Sequence, residues 1–179
     1  MPTLLEAEAS NRGLRRIAGE ILERHPKPAE LMLVAVRRGG LPVARGLADW
    51  LRELDGAEPS RGEVDITLYR DDAATALPNP RIGPSDIPGS VAGKVVILCD
   101  DVVFTGRTVR AAIDAVMDYG RPARIELCVL VDRGGRELPV QPDYCVLRAA
   151  VGAGDRVEVR DEPAGLLALQ IAEGESSQP

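Results

Sequence analysis

The sequence has 179 residues, the size of one compact domain, and we expect a single domain over residues 1–179. A net charge of −6 and an aromatic content of 3% exclude nucleic-acid binding through bulk positive charge or extensive base stacking, so such a partner would need a local basic patch. Three widely spaced cysteines disfavour a disulfide framework and a zinc site. No apolar run reaches ~18–20 residues, so we expect a cytoplasmic protein with no membrane segment.

The first third of the chain alternates between helical and strand-like patterns. An apolar stripe at helical spacing predicts a helix over about residues 8–25, which ends before Pro26. A continuous apolar run predicts a strand over 31–36 that is buried on both faces. A helix over 42–54 follows, and an alternating β-branched run predicts a second strand over 64–69.

The next stretch, residues 70–90, has no hydrophobic period. It contains four prolines and two glycines, and it is longer than most connections in compact domains. Loops of this length commonly carry function, and we expect a mobile lid.

The alternation then resumes with a strand over 95–99, a helix over 106–119 and a strand over 125–131. Apolar strands that alternate with helices predict an α/β fold with a central parallel sheet flanked by helices. The remaining patterns are weaker. Residues 156–159 and 166–171 are predicted to form short strands or a small helix, and residues 174–179 a frayed tail.

One segment has the composition of a ligand site. The strand that begins at Val95 brings two adjacent carboxylates, Asp100 and Asp101, to its carboxyl end, where ligands bind in open α/β sheets. Thr105, Gly106 and Thr108 then open a helix whose first amide groups are free to bind an anion. Carboxylates that accept from hydroxyls, next to amides that donate to a phosphate, predict a site for a sugar phosphate.

The whole segment, Val95 to Thr108, closely resembles the signature of the type I phosphoribosyltransferases, which bind phosphoribosyl pyrophosphate (PRPP). It is neither a P-loop nor a Rossmann fingerprint. Together with residues 65–72 and 130–139, it resembles the PyrR family of bifunctional pyrimidine operon regulators and uracil phosphoribosyltransferases. The resemblance extends from about residue 11 to Tyr144, and it implies the type I fold with a small hood.

The resemblance also implies a role for each motif. The ribose 2′- and 3′-hydroxyls would donate to Asp100 and Asp101. The 5′-phosphate would lie on the loop of Phe104, Thr105, Gly106, Arg107 and Thr108. The pyrophosphate would lie on the loop of Arg37, Arg38 and Gly39. Arg70 would belong to the catalytic lid over about residues 70–90. The base would be recognised by a hood over about residues 132–145, with Arg133, Arg136, Glu137 and Leu138.

The implied partners are PRPP, uracil, UMP and UTP, together with a pyrimidine-operon leader mRNA that would bind the first-helix arginines Arg12, Arg15 and Arg16. Mg²⁺ would enter with PRPP, and we assign no protein side chain as a metal ligand. The resemblance further implies a homo-oligomer. Purine-specific relatives carry an aspartate at the position of Phe104, so the phenyl ring here indicates a pyrimidine substrate.

The sequence departs from the family pattern at two glycines and one longer segment. Gly19 and Gly135 stand where relatives usually carry histidine, and residues 145–154 replace a lysine-containing segment. Three functions therefore stay open: a uracil phosphoribosyltransferase, a nucleotide-sensing RNA attenuator, and a phosphoribosyltransferase or nucleotide sensor for another base that does not bind RNA.

Overall fold

The computed structural model describes residues 1–71, 85–152 and 154–174. In chain order the elements are β1 (Thr3–Leu5), α1 (Ala7–Arg24), β2 (Leu31–Val36), α2 (Gly40–Asp55), β3 (Ser60–Val64), β4 (Val95–Val103), α3 (Arg107–Met117), β5 (Arg124–Asp132), β6 (Tyr144–Arg148), β7 (Arg156–Glu162) and β8 (Gly165–Ile171). A 3₁₀ turn at Pro28–Glu30 precedes β2. No helix in the described ranges is both long enough and apolar enough to cross a membrane.

The central sheet has five parallel strands in the order β3-β2-β4-β5-β6. All residues of β2 are buried, because helices cover both faces of the sheet. Leu33 and Ala35 belong to one apolar core with residues of α1 and α2, whereas Met32 and Val34 point to the other face and join residues of α3. The predicted parallel α/β fold is confirmed.

Strand β4 is longer than predicted and includes the two adjacent carboxylates. Its ladder with β5 continues through Asp100, opposite Val129, to Val103, opposite Asp132. The acid pair therefore lies within the last part of a strand, where the ladder with β5 restrains it although the ladder with β2 ends at Cys99.

The strand predicted at residues 64–69 was wrong, because the observed strand β3 ends at Val64. Beyond it, the Asp65 carboxylate accepts hydrogen bonds from the Thr67 amide at 2.9 Å and the Thr67 hydroxyl at 2.5 Å, and the Tyr69 amide donates to the Ile66 carbonyl. This local Asx-type turn competes with sheet pairing. The sheet instead uses Ser60–Val64, whose pairing with β2 no local pattern reveals.

The two chain ends form a second, antiparallel sheet in the order β1-β8-β7. Both C-terminal segments that were predicted as strands or a small helix are strands, and the three-residue strand β1 was not predicted. Ser10 attaches this sheet to α1, since its hydroxyl accepts from the Leu166 amide at 2.8 Å and donates to the Ala7 carbonyl at 2.7 Å. Of the predicted tail, residues 175–179 lie outside the described residues.

Candidate functional site

The two carboxylates of β4 form a tightly spaced acid pair. Asp100 is 5% exposed, and its Oδ1 accepts from the Asp101 amide at 3.0 Å. Asp101 is half-buried, and its Oδ1 accepts from the Val102 amide at 2.8 Å. Burial raises the pKa of Asp100 well above its usual range, and the neighbouring charge of Asp101 raises it further. Such a pair gains stability from any ligand that donates hydrogen bonds or brings positive charge.

The predicted pyrophosphate loop packs directly against this acid pair. A Cβ atom on Gly39 would overlap the Asp101 carboxylate, and one on Gly40 would overlap the Cys99 carbonyl. Only glycine lets the loop approach β4 this closely. The peptide bond between Arg37 and Arg38 is cis. The structure thus brings two predicted motifs together that are about sixty residues apart in sequence.

Arg37 of this loop has a partner that the sequence did not reveal. Its Nη2 lies 2.6 Å from Glu63 Oε1, and both side chains are half-buried. Glu63 lies on the edge strand β3, where its backbone also pairs with Asp86 at the end of the predicted lid stretch. Glu63 therefore connects the loop to that stretch. It precedes the strand that the sequence predicted, and nothing in its sequence context indicated this contact.

The predicted 5′-phosphate loop has the form of an anion cradle. Gly106 has a φ of 93° and immediately precedes α3, so the first amides of that helix have no partner within the helix. The Thr105 hydroxyl accepts from the Arg107 amide at 3.3 Å. A Cβ atom on Gly106 would also overlap the Val140 side chain. The loop therefore needs glycine for both its conformation and its packing.

The segment predicted to recognise the base is hydrogen-bonded to the phosphate loop. The amides of Glu137 and Leu138 both donate to the Thr105 carbonyl, at 2.9 and 3.0 Å. Arg136 braces the same segment, because its guanidinium donates to the Phe104 carbonyl at 2.8 Å and to Asp132 Oδ1 at 2.7 Å. Because Arg136 uses its guanidinium for hydrogen bonds within the protein, it stabilises the segment after β5 in this conformation.

Arg107 connects three parts of the site. Its Nε donates to Glu137 at 2.7 Å, and its Nη1 is paired with Asp71. Asp71 follows the exposed Arg70 at the start of the predicted lid, of which residues 72–84 lie outside the described residues. The first residues of that stretch thus lie beside the phosphate loop.

Arg133 is 9% exposed and lies over the ring of Phe104, with 4.0 Å between its Cζ and the ring centroid. Its two terminal nitrogens donate to the carbonyls of Asp155 and Gly152, at 2.7 and 3.0 Å. These contacts connect the predicted base segment to the residues that precede β7.

The three arginines predicted to bind RNA are exposed on α1, away from the acid pair in sequence. Arg15 lies 5.5 Å from the ring of Trp50. Arg16 pairs with Glu20 at 2.6 Å and donates to the Cys145 carbonyl at 3.0 Å, on the edge strand β6. Two of the three arginines therefore also contact their own protein.

A buried polar cluster that the sequence did not reveal lies near the start of β5, at the opposite end of that strand from Arg133. His25 Nε2 lies 2.9 Å from Glu126, and the Tyr144 hydroxyl donates to the same carboxylate oxygen at 2.7 Å. Burial alone would raise the pKa of Glu126, but the hydrogen bonds from Tyr144 and His25 and the charge of Arg24 hold it below its usual value. This cluster joins α1, β5 and β6, and we interpret it as structural.

Comparison with known proteins identifies the family. The Phosphoribosyl transferase domain matches residues 2–161. The chain is 53% identical over 141 residues to the Bifunctional protein PyrR of Geobacter sulfurreducens, covering 79% of this chain and 80% of the relative. It is 46% identical over 157 residues to the protein of the same name from Pelotomaculum thermopropionicum, covering 88% and 87%. The chain belongs to the PyrR family.

Solved structures support the same fold. A hypoxanthine-guanine phosphoribosyltransferase (hpt-2) of Bacillus anthracis superposes with a TM-score of 0.69 at 20% identity, covering 93% of this chain and 96% of that one. The hypoxanthine phosphoribosyltransferase of Trypanosoma cruzi, in complex with the product IMP, gives a TM-score of 0.66 at 20% identity, covering 83% and 77%. Together they confirm the phosphoribosyltransferase fold of this PyrR family member.

Proposed function

We propose that this PyrR family member transfers the phosphoribosyl group of PRPP to uracil, and that it also binds pyrimidine-operon leader mRNA in response to UMP and UTP. Membership of a family whose relatives are named bifunctional carries the proposal. The packing of Gly39 against Asp101 supports it, because one site then holds groups for both the ribose and the pyrophosphate. A cytoplasmic homo-oligomer, as the resemblance implies, is part of the proposal.

In this site each group of PRPP meets a matching set of residues. The ribose hydroxyls donate to Asp100 and Asp101, and the 5′-phosphate accepts from the amides at the start of α3 and from the Thr105 and Thr108 hydroxyls. The backbone of Arg37–Gly39 binds the departing pyrophosphate. These contacts hold the anomeric carbon in place while the bond to pyrophosphate breaks through an oxocarbenium-like state.

The acid pair also fits a magnesium ion carried by PRPP. No three His, Cys, Asp or Glu side chains of the described residues form a cluster that could hold a metal by themselves. Mg²⁺ commonly uses one or two carboxylates together with substrate oxygens. The raised pKa of Asp100 indicates that its negative charge is unfavourable in the ligand-free protein, and a bound cation would stabilise that charge. Asp100 and Asp101 would hold the ion together with PRPP, where it would stabilise the charge of the leaving group.

Phe104 is the residue that favours a pyrimidine over a purine. Phe104 is 40% exposed as a residue and lies at the start of the phosphate loop. A phenyl ring neither donates nor accepts a hydrogen bond in the plane of a base, so the purine N7 would find no partner there. Within the described residues the amides of Gly135 and Arg136 make no hydrogen bond and would donate to the uracil edge, whereas the other amides of residues 133–138 are already paired.

The test is pyrophosphate release from PRPP and Mg²⁺ with a panel of nucleobases. We expect turnover with uracil and none with hypoxanthine or guanine, because a wrong base leaves buried polar groups unpaired, which can cost a factor of about 10⁴. Turnover with a purine that equals or exceeds turnover with uracil would favour the alternative, a phosphoribosyltransferase or nucleotide sensor for another base without RNA binding.

A further inference from the structure

The ring of Phe104 is enclosed from two sides by the segment that follows β5. The Arg133 guanidinium lies over the ring, 4.0 Å from its centroid. A Cβ atom on Gly135, which has a φ of 71°, would overlap the ring edge. Since 40% of Phe104 is still exposed, the ring is held in place and yet presents surface to the site.

Arg133 is itself restrained in a way that suits this contact. Its terminal nitrogens donate to the carbonyls of Gly152 and Asp155, which orient the guanidinium plane. Its Nε is buried and has no acceptor within the part of the chain that the structure describes. A buried donor without a partner is unfavourable, so hydrogen bonding alone does not explain this placement. The cation–π contact with Phe104 is the remaining interaction of this side chain that the structure shows.

The backbone and the ring of Phe104 have separate supports. Arg136 donates to the Phe104 carbonyl at 2.8 Å and so fixes the main chain, whereas Arg133 and Gly135 restrict the ring. Rotation of the ring about its side-chain bonds would otherwise be free on its exposed side. Arg133 and Gly135 therefore both restrict the orientation of the ring, and Arg133 is the residue that contacts its face.

We propose that Arg133 is a positioning residue that holds the Phe104 ring against the bound pyrimidine and thereby sets the affinity for the base. This inference rests on the proposed function, because it needs the base to lie beside Phe104. It also connects base affinity to the C-terminal sheet, since the carbonyls that orient Arg133 belong to the segment that leads into β7.

Phe104 is the only phenylalanine in the chain, which allows a direct test in the ligand-free protein. Protein labelled with 4-fluorophenylalanine should give a single ¹⁹F resonance that reports on this ring. We expect Arg133→Met to shift that resonance, because the cation is removed from the ring face. Gly135→Ala should also shift it, because the added Cβ atom meets the ring edge while Arg133 stays in place. Arg52→Met, on the exposed side of α2, is the matched control and should leave the resonance unchanged.

Kinetics then test the consequence for the base. With Arg133→Met we expect kcat/KM for uracil to fall about tenfold while the Kd for PRPP stays within about twofold, since the cation–π contact is lost only beside the base. Arg133→Lys keeps the charge but cannot donate to both carbonyls in one plane, and it should give a smaller loss.

The two measurements separate the possible failures. An unchanged ¹⁹F resonance in Arg133→Met would overturn the positioning of Phe104 by Arg133, and a shifted resonance with unchanged uracil kinetics would overturn its link to the base. If Arg133→Met does not fold, Arg133→Lys decides the same questions, with a smaller expected change in each measurement. Absence of uracil turnover in the wild-type protein would instead refute the proposed function, while the resonance still reports whether Arg133 positions the ring.

Discussion

Replacement of Asp100 by asparagine should stabilise the ligand-free protein and weaken its binding of PRPP. The asparagine side chain has the shape of the carboxylate and keeps the oxygen that accepts from the Asp101 backbone amide. The substitution removes a negative charge from a residue that is only 5% exposed and lies beside a second acid. The penalty for a buried polar group that is incompletely compensated is about 1–3 kcal/mol. We therefore expect the free energy of unfolding at neutral pH to rise by about this amount.

The pH dependence of this gain has a definite sign. Burial and Asp101 raise the pKa of Asp100 in the folded protein, so the folded state binds this proton more tightly than the unfolded state. The penalty is absent below the ordinary aspartate pKa of about 3.9, grows as the pH rises above it, and levels off above the raised value. The gain from Asp100→Asn should therefore be larger at neutral pH than at about pH 5.

Binding should change in the opposite direction from stability. A charge-assisted hydrogen bond to a ribose hydroxyl contributes about 1.5–3 kcal/mol, so its loss should weaken PRPP binding about 10- to 150-fold. Denaturant unfolding without Mg²⁺ and calorimetric titration with PRPP measure the two effects, and Asp49→Asn on the exposed face of α2 is the control. A variant that is less stable than the wild type at neutral pH, or that binds PRPP equally well, would refute this reasoning.

Three further predictions concern the loop, the RNA and the buried cluster. Gly39→Ala places a Cβ atom on the neighbouring carboxylate, so PRPP affinity measured by calorimetry should fall at least about tenfold, with a normal circular dichroism spectrum. If Arg15 and Arg16 contact leader RNA, replacing both by alanine should flatten the salt dependence of binding by about 0.7 per lost phosphate contact without changing the Kd for PRPP; an unchanged slope would remove them from the RNA site. Tyr144→Phe should lower the free energy of unfolding by about 1–3 kcal/mol, because the Glu126 carboxylate loses a buried donor at 2.7 Å, and equal stability in denaturant would contradict that role.

The sequence alone was sufficient for features that are encoded locally. Continuous apolar runs predicted β2 and β4, and a helical stripe predicted α1, because burial on two faces or on one stripe imposes these patterns directly. The segment from Val95 to Thr108 combines a strand, two acids and a helix start, and its resemblance indicated the family that the comparisons confirm.

Only the tertiary structure decided contacts between distant segments. Strand β3 lies at Ser60–Val64 because it pairs with β2, although residues 64–69 have the stronger strand pattern. The pairing of β1 with β8 joins the two ends of the chain, which no local pattern can predict for a three-residue strand.

The same limit applies to the site. Its motifs were recognisable, but the contacts of Arg37 with Glu63, of Arg133 with Phe104 and of His25 with Glu126 were not. Each joins side chains that are at least about 26 residues apart, and an isolated arginine, glutamate or histidine in the sequence does not specify its partner. The partner is chosen when packing of the helices and strands brings two such side chains together, because burial then makes an unpaired charge costly.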